Sequence, residues 1–231
     1  MKFFKKILFF LPFFLAYLPL VSSQNFYRIS CDFSIKVKKN DGTAQLTMGK
    51  VYYDCNFRKL VYVLSFPQKE IWINTSEQLI KIAQGKAPVK QSVPSILEFT
   101  VFQLAMNGQL SDYGLKNSSF TVEEVEKEDN QIITTWKLPT KYSKKFGKIM
   151  TSVKDRQLYG IVFLDTKGSV ISKQFFDNYI LISGLSFPTE IIQISYIVDD
   201  KGTKENYQLT NFKNVIVNEK SNENYYNYTI P

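Results

Sequence analysis

Two cysteines and no histidine set the limits on what this chain can do chemically. Without an imidazole there is no Ser–His or Cys–His nucleophile and no histidine-based zinc site. Cys31 and Cys55 are not in a C-x-x-C spacing, so a disulfide between them would be a staple and not a redox centre. If residues 31–37 and 47–55 pair as a hairpin around Asp41-Gly42, with a bulge, Cys31 falls almost opposite Cys55, within bridging distance. Two separate buried thiols are the other arrangement. Carboxylates gather at Glu123, Glu124, Glu126, Glu128 and Asp129, but they follow one strand end and read as a solvated edge, whereas a glycosidase pair stands across a cleft. Asp199-Asp200 lacks the further oxygen ligands at fixed spacing that calcium takes. The expectation is a non-enzyme with no metal and no cofactor, and the question becomes what it holds.

Charge narrows the partners. The formal net charge of +8 is spread over turns (Lys38-Lys39, Lys144-Lys145, Lys201, Lys204) and is not gathered in a stripe with stacking aromatics, which argues against nucleic acid. A weak attraction to anionic membrane surfaces remains compatible with it. Trp72, Trp136 and the many Phe and Tyr residues read as core.

The first 23 residues read as a signal peptide. Lys2, Lys5 and Lys6 precede an apolar run over residues 7–21 that Pro12 and Pro19 interrupt, too short and broken for a membrane span. Val21 and Ser23 suit cleavage before Gln24; an N-terminal anchor is the alternative. Losing three lysines lowers the formal charge to +5. Cys31 does not directly follow the apolar run, against a lipid-modified cysteine. Residues 24–231 are expected to form one soluble, monomeric β domain in the periplasm. Asn74-Thr-Ser, Asn117-Ser-Ser and Asn227-Tyr-Thr match the glycosylation pattern, which arises by chance in an Asn-rich chain.

The elements that would position a binding site are hairpins. Tight turns at Asn40-Asp41-Gly42, Thr166-Lys167-Gly168 and Asp200-Lys201-Gly202 separate runs of alternating apolar and polar residues. Phe33, Ile35 and Val37 alternate with Ser34, Lys36 and Lys38. Strands are predicted over 31–37, 46–53, 60–66, 70–74, 120–126, 132–138, 149–154, 158–164, 170–176, 179–183, 189–198 and 206–217, with 79–82 ambiguous between strand and helix. The tail over 222–231 is an extra edge strand or a partner-binding segment.

One segment changes period. Ser95 and Glu98 form an S-x-x-E capping pattern after Pro94, predicting a helix over 95–106 ended by Asn107-Gly108. Ile96, Leu97, Phe99, Val101, Phe102, Leu104, Ala105 and Met106 make it apolar nearly all round, so it must be enclosed. In an otherwise β chain the enclosure is the concave face of a curled antiparallel sheet.

Several stretches resemble the LolA, LolB and RseB-like family: Gly49-Lys-Val-Tyr-Tyr, Lys59-Leu-Val-Tyr-Val and Phe66-Pro-Gln-Lys-Glu; Leu158-Tyr-Gly-Ile-Val-Phe-Leu-Asp, Gly168-Ser-Val-Ile-Ser-Lys and Phe176-Asp-Asn-Tyr; Gly184-Leu-Ser-Phe-Pro-Thr-Glu-Ile; and Asn211-Phe-Lys-Asn-Val-Ile-Val-Asn. The resemblance implies an incomplete β barrel, a strongly curved half-barrel with one or more helices covering an apolar cavity that shields the acyl chains of lipids or lipoproteins, with envelope membrane proteins as further partners. Ile96, Leu97, Phe99, Phe102, Leu104, Met106, Trp72, Val61 and Val63 are the cavity and lid candidates. The carriers also use an arginine ahead of the strand that corresponds to residues 60–66, which makes Arg58 a latch candidate; a solvated turn residue is its other role. The first strand begins too soon after Gln24 for the helix with which the carriers start. A non-enzymatic sensor or cell-surface interaction module on the same scaffold, with a filled core, is the alternative.

Overall fold

A computed structural model describes residues 25–92, 99–139, 147–199 and 202–230. The proposed signal peptide, Ser95, Glu98, Ile96 and Leu97 therefore lie outside the described residues.

The hairpin grammar of the sequence builds one sheet. Strand β1 (Arg28–Lys38) turns through Asp41, whose Oδ1 accepts from the Thr43 N–H at 2.8 Å, and Gly42 at φ 84°. The chain returns as β2 (Ala44–Asp54) and continues through β3 (Lys59–Phe66), β4 (Glu70–Asn74), β5 (Gln78–Ala83) and β6 (Val89–Ser92). A short helix α1 (Val101–Met106) and a 3-10 turn (Leu110–Asp112) follow. The second meander is β7 (Thr121–Glu128), β8 (Gln131–Lys137), β9 (Lys148–Lys154), β10 (Gln157–Leu164), β11 (Val170–Ile182), β12 (Leu185–Asp199) and β13 (Gly202–Val217), before a last helical turn α2 (Glu223–Tyr226).

All thirteen strands join one antiparallel sheet in the order β6-β5-β4-β3-β2-β1-β13-β12-β11-β10-β9-β8-β7. The two meanders meet where β1 pairs with β13, and the sheet stays open between β6 and β7. It is a curled half-barrel. So many twisted strands cannot lie flat, and curling brings a broad set of side chains round α1.

Period-two alternation gives the sheet two faces. The concave face carries the larger core: Ile29, Cys31 and Phe33 of β1, Val51 and Tyr53 of β2, Leu60 and Leu64 of β3, Phe187 of β12 and Phe212 of β13, packed with α1. The convex face carries a second, smaller core of Tyr52, Val61, Ile73 and Ile80, capped by Tyr226 of α2. The tail over 222–230 is thus not an edge strand: it turns back over β2 and β3, and Arg28 Nη1 holds Glu223 Oε2 at 2.8 Å.

Three local expectations change. The strands read over 170–176 and 179–183 are one strand, β11, because Asn178 takes φ 53° and the chain resumes the same pairing, from Asp177↔Glu190 to Tyr179↔Pro188. The ambiguous 79–82 segment is a strand, and the polar edge strand β6 had no hydrophobic pattern to announce it. The Cys31–Cys55 disulfide does not form. The hairpin registers without the offset assumed, placing Cys31 opposite Val51, while the Cys55 N–H bonds the Tyr27 carbonyl at 2.9 Å. Four residues along a strand is about 13 Å, far beyond disulfide reach.

Candidate functional site

The site is the hollow of the half-barrel and what fills it. Thr100 caps α1: its hydroxyl accepts from the Gln103 N–H at 3.3 Å. The helix ends at Asn107, whose N–H bonds the Gln103 carbonyl at 3.0 Å, and Gly108 follows at φ 65°. Six residues have little helical stability of their own. Five of them (Val101, Phe102, Leu104, Ala105 and Met106) are buried, so packing against the sheet holds the helix in shape.

Phe102 is the centre of that packing. Its ring lies 5.3 Å from Phe212, 5.6 Å from Phe187 and 6.5 Å from Tyr53, centroid to centroid, so one side chain meets β13, β12 and β2 together. Leu104 packs beside Gly114, which sits at φ 72° where an added Cβ would stand 2.9 Å from a Leu104 methyl. That glycine answers both a left-handed turn and a close approach. Beyond the 3-10 turn, Tyr113 adopts φ 56° and drives its ring among Phe99, Phe163 and Phe176. Burial pushes the Tyr113 phenol up to about 12.

Two buried polar atoms stand out in the mostly apolar hollow. The Tyr53 hydroxyl and Gln103 Oε1 are buried with no hydrogen-bond partner among the described residues. An orphaned buried polar atom costs about 1–3 kcal/mol. Burial keeps the Tyr53 phenol protonated far above its ordinary range, so it stands as a neutral donor. At the C-terminal end of α1 a cleft of ≈ 580 Å³ opens between Phe26, Met106, Arg156, Tyr179 and Leu185. It leads from solvent towards the helix.

The structure gathers Phe102, Leu104 and Met106 in the hollow. Phe99 lies at its rim, stacked 6.0 Å from Tyr113 and half-exposed. Trp72 faces the same side further along β4, its Nε1 donating to Glu70 Oε2 at 2.7 Å and Lys81 Nζ lying 4.6 Å over its ring. Val61 and Val63 do not join them: both pack with the convex core, on the opposite face from α1. Strand β3 is apolar on both faces, and a continuous apolar run does not say which side is which. Arg58 is an exposed residue of the β2–β3 turn at φ 50°. The carboxylates of β7 line an exposed outer edge, with Glu123 Oε2 2.8 Å from Lys148 Nζ. Tyr53, Tyr113, Leu110, Leu115, Phe187 and Phe212 were missed as hollow residues. The signal available for Tyr113 was a lone aromatic inside a Gly-flanked turn.

The same architecture occurs in solved structures. A LolA superfamily protein from Nitrosomonas europaea superposes with a TM-score of 0.58 at 13% identity, covering 87% of this chain and 91% of its own. A domain from Vibrio parahaemolyticus, named for outer-membrane lipoprotein sorting, gives 0.62 at 13% identity over 87% of this chain and 89% of its own. The fold is LolA-like. A DUF1329 family protein from Desulfovibrio piger shares the LolA-like fold at a TM-score of 0.61 and 11% identity, over 89% of this chain and 91% of its own. No family model matches the sequence, and comparison with curated proteins finds no match. Among the described residues no helix is long and apolar enough to cross a membrane.

Proposed function

We propose that this chain is a non-enzymatic envelope carrier that shields acyl chains of lipids or lipoproteins in its hollow, with α1 as a displaceable plug. One observation carries the reading. Phe102 fills the hollow with its ring against those of Phe187, Phe212 and Tyr53, and the buried Tyr53 hydroxyl has no hydrogen-bond partner among the described residues. An acyl chain replacing the plug exchanges apolar contact for apolar contact, each buried methylene worth about 0.8 kcal/mol. A ligand oxygen on Tyr53 would recover a hydrogen bond that the closed form forgoes. The helix is short enough to leave as a unit, and the cleft beside Met106 gives the entry path. LolA-like neighbours, one of them named for lipoprotein sorting, support the same reading.

A second reading is an envelope sensor or cell-surface interaction module with a permanently filled core, and the tight seating of Phe102 favours it. Fluorescent acyl-probe titration of delipidated protein separates the two. Saturable uptake that quenches when the probe meets the Tyr53 end supports the carrier. Absence of uptake in both the wild type and a Phe102→Ala variant, which opens the hollow, leaves the filled module. Native mass spectrometry of protein from its own envelope then identifies any co-purifying lipid.

A further inference from the structure

The convex face carries a second apolar site that the hollow does not explain. Following the strand register across six strands gives a single row of side chains: Lys213 of β13, Asp32 of β1, Lys50 of β2, Val63 of β3, Ile71 of β4 and Ile82 of β5. The row is charged at one end and apolar at the other. Its neighbour, Tyr52, Val61, Ile73 and Ile80, is sealed by Tyr226 of α2. The Lys213–Ile82 row has no such cover and lines a groove of ≈ 780 Å³, with Met48 and Lys69 on its walls. That is within the range of about 300–1,000 Å³ typical of small-ligand sites.

The charges favour one kind of occupant. Lys50 Nζ is already held by Asp32 Oδ1 at 2.6 Å, and Asp32 Oδ2 accepts from Asn214 Nδ2 at 2.7 Å. Glu70, at the groove wall, accepts from Trp72. Lys69 and Lys213 are exposed and have no ion-pair partner among the described residues, and against them stands only the carboxylate of Glu70, so the groove is positive on balance. An extended peptide would find no free backbone here, because β3 and β4 are hydrogen-bonded on both sides. What remains complementary is an unbranched apolar chain ending in one anionic group.

We infer that the convex groove binds a single long-chain fatty acid, its chain laid over Val63, Ile71 and Ile82 and its carboxylate between Lys213 and Lys69. The site lies on the opposite face of the sheet from α1 and fills without moving the plug.

The test is a titration of full-length protein, methyl-labelled at Ile, Leu and Val, with sodium laurate, and with methyl laurate as the uncharged control. Laurate is expected to shift the methyls of Val63, Ile71 and Ile82, independently of any shift of Leu104, Leu158 and Leu185 in the hollow. The double variant Lys69→Glu/Lys213→Glu changes only exposed side chains and retains the wild-type melting curve. It should weaken laurate about tenfold or more and leave methyl laurate binding unchanged. Shifts confined to Leu104, Leu158 and Leu185 would overturn the groove while supporting the hollow as carrier site. Equal laurate affinity for wild type and double variant would also overturn it. Shifts of the groove methyls that grow with protein concentration before laurate is added would assign the groove to a second copy of the chain instead.

Discussion

Arg28 and Asp54 face each other across the base of the first hairpin as a buried ion pair, Nη2 2.8 Å from Oδ2, with the carboxylate side chain fully buried. The same guanidinium bonds Glu223 and lies 4.5 Å over the Tyr226 ring, so the pair anchors the C-terminal tail to the sheet. Asp54 Oδ1 meanwhile accepts from the N–H groups of Asn56 and Phe57, which fixes the β2–β3 turn. Breaking a buried pair strands the surviving charge, at about 3–5 kcal/mol. Asp54→Ala should lower stability by that order, nearer the small end because Glu223 still holds Arg28. A urea midpoint unchanged from wild type would show that the tail, and not the pair, anchors this corner.

The orphaned hydroxyl under the plug gives a prediction of opposite sign. Tyr53→Phe removes a buried donor that has nothing to bind, and should stabilise the ligand-free protein by about 1 kcal/mol. If a ligand oxygen meets that hydroxyl, the same variant weakens acyl-probe binding. Thermal melts with and without probe read both effects. A destabilised ligand-free variant would mean that ordered water already satisfies Tyr53.

The thiols should behave as two separate groups. Burial pushes the Cys31 thiol far above the ordinary range, while Cys55, raised less by burial and by the nearby Asp54 charge, is partly accessible. Iodoacetamide on native protein should add one label slowly, at Cys55, and a second only after denaturation. The melting temperature should not change on adding a reductant. A mass two hydrogens lower before reduction would restore the disulfide.

Acid should loosen the tail first. Glu219 receives hydrogen bonds from Ser221, Ser30, Asn222 and Tyr226, which hold its carboxyl below the ordinary value of 4.5 despite partial burial. A carboxyl depressed in the folded state stabilises above its unfolded value, and that contribution fades as pH falls from 4.5 through the folded value. Glu219→Gln should therefore lower stability at neutral pH and flatten its fall in acid. Denaturation midpoints across that window, wild type against variant, check the sign. Parallel curves would remove Glu219 from the account.

Much of the architecture is readable from residue order, and the misses share a cause. Alternation at Phe33, Ile35 and Val37 and the turns at Asp41-Gly42 and Lys167-Gly168 locate β1, β2, β10 and β11, because pleat and turn chemistry are local. The apolar segment around Phe102 could be read as enclosed for the same reason. The convex core was not legible, since Leu60–Leu64 and Ile71–Ile73 are apolar on both faces and only the returning tail decides which face is covered. The continuity of those runs was itself the hint of two buried sides. The cysteines misled because the hairpin was read with a bulge that the β1–β2 pairing does not contain, and a slip of a few residues moves a partner along the strand.

The central pairing of β1 with β13 has a consequence for how the molecule is made. Tyr27 and Asn218, which close that seam, are 191 positions apart in sequence. Synthesis or translocation delivers a chain at about 5–20 residues per second, so β1 waits many seconds with one long edge bare. Every earlier strand can pair with its neighbour as it emerges, but the middle of the sheet has no counterpart until the last strand arrives. This protein is thus most vulnerable to holdase capture, or to pairing with another nascent copy, while it is almost complete.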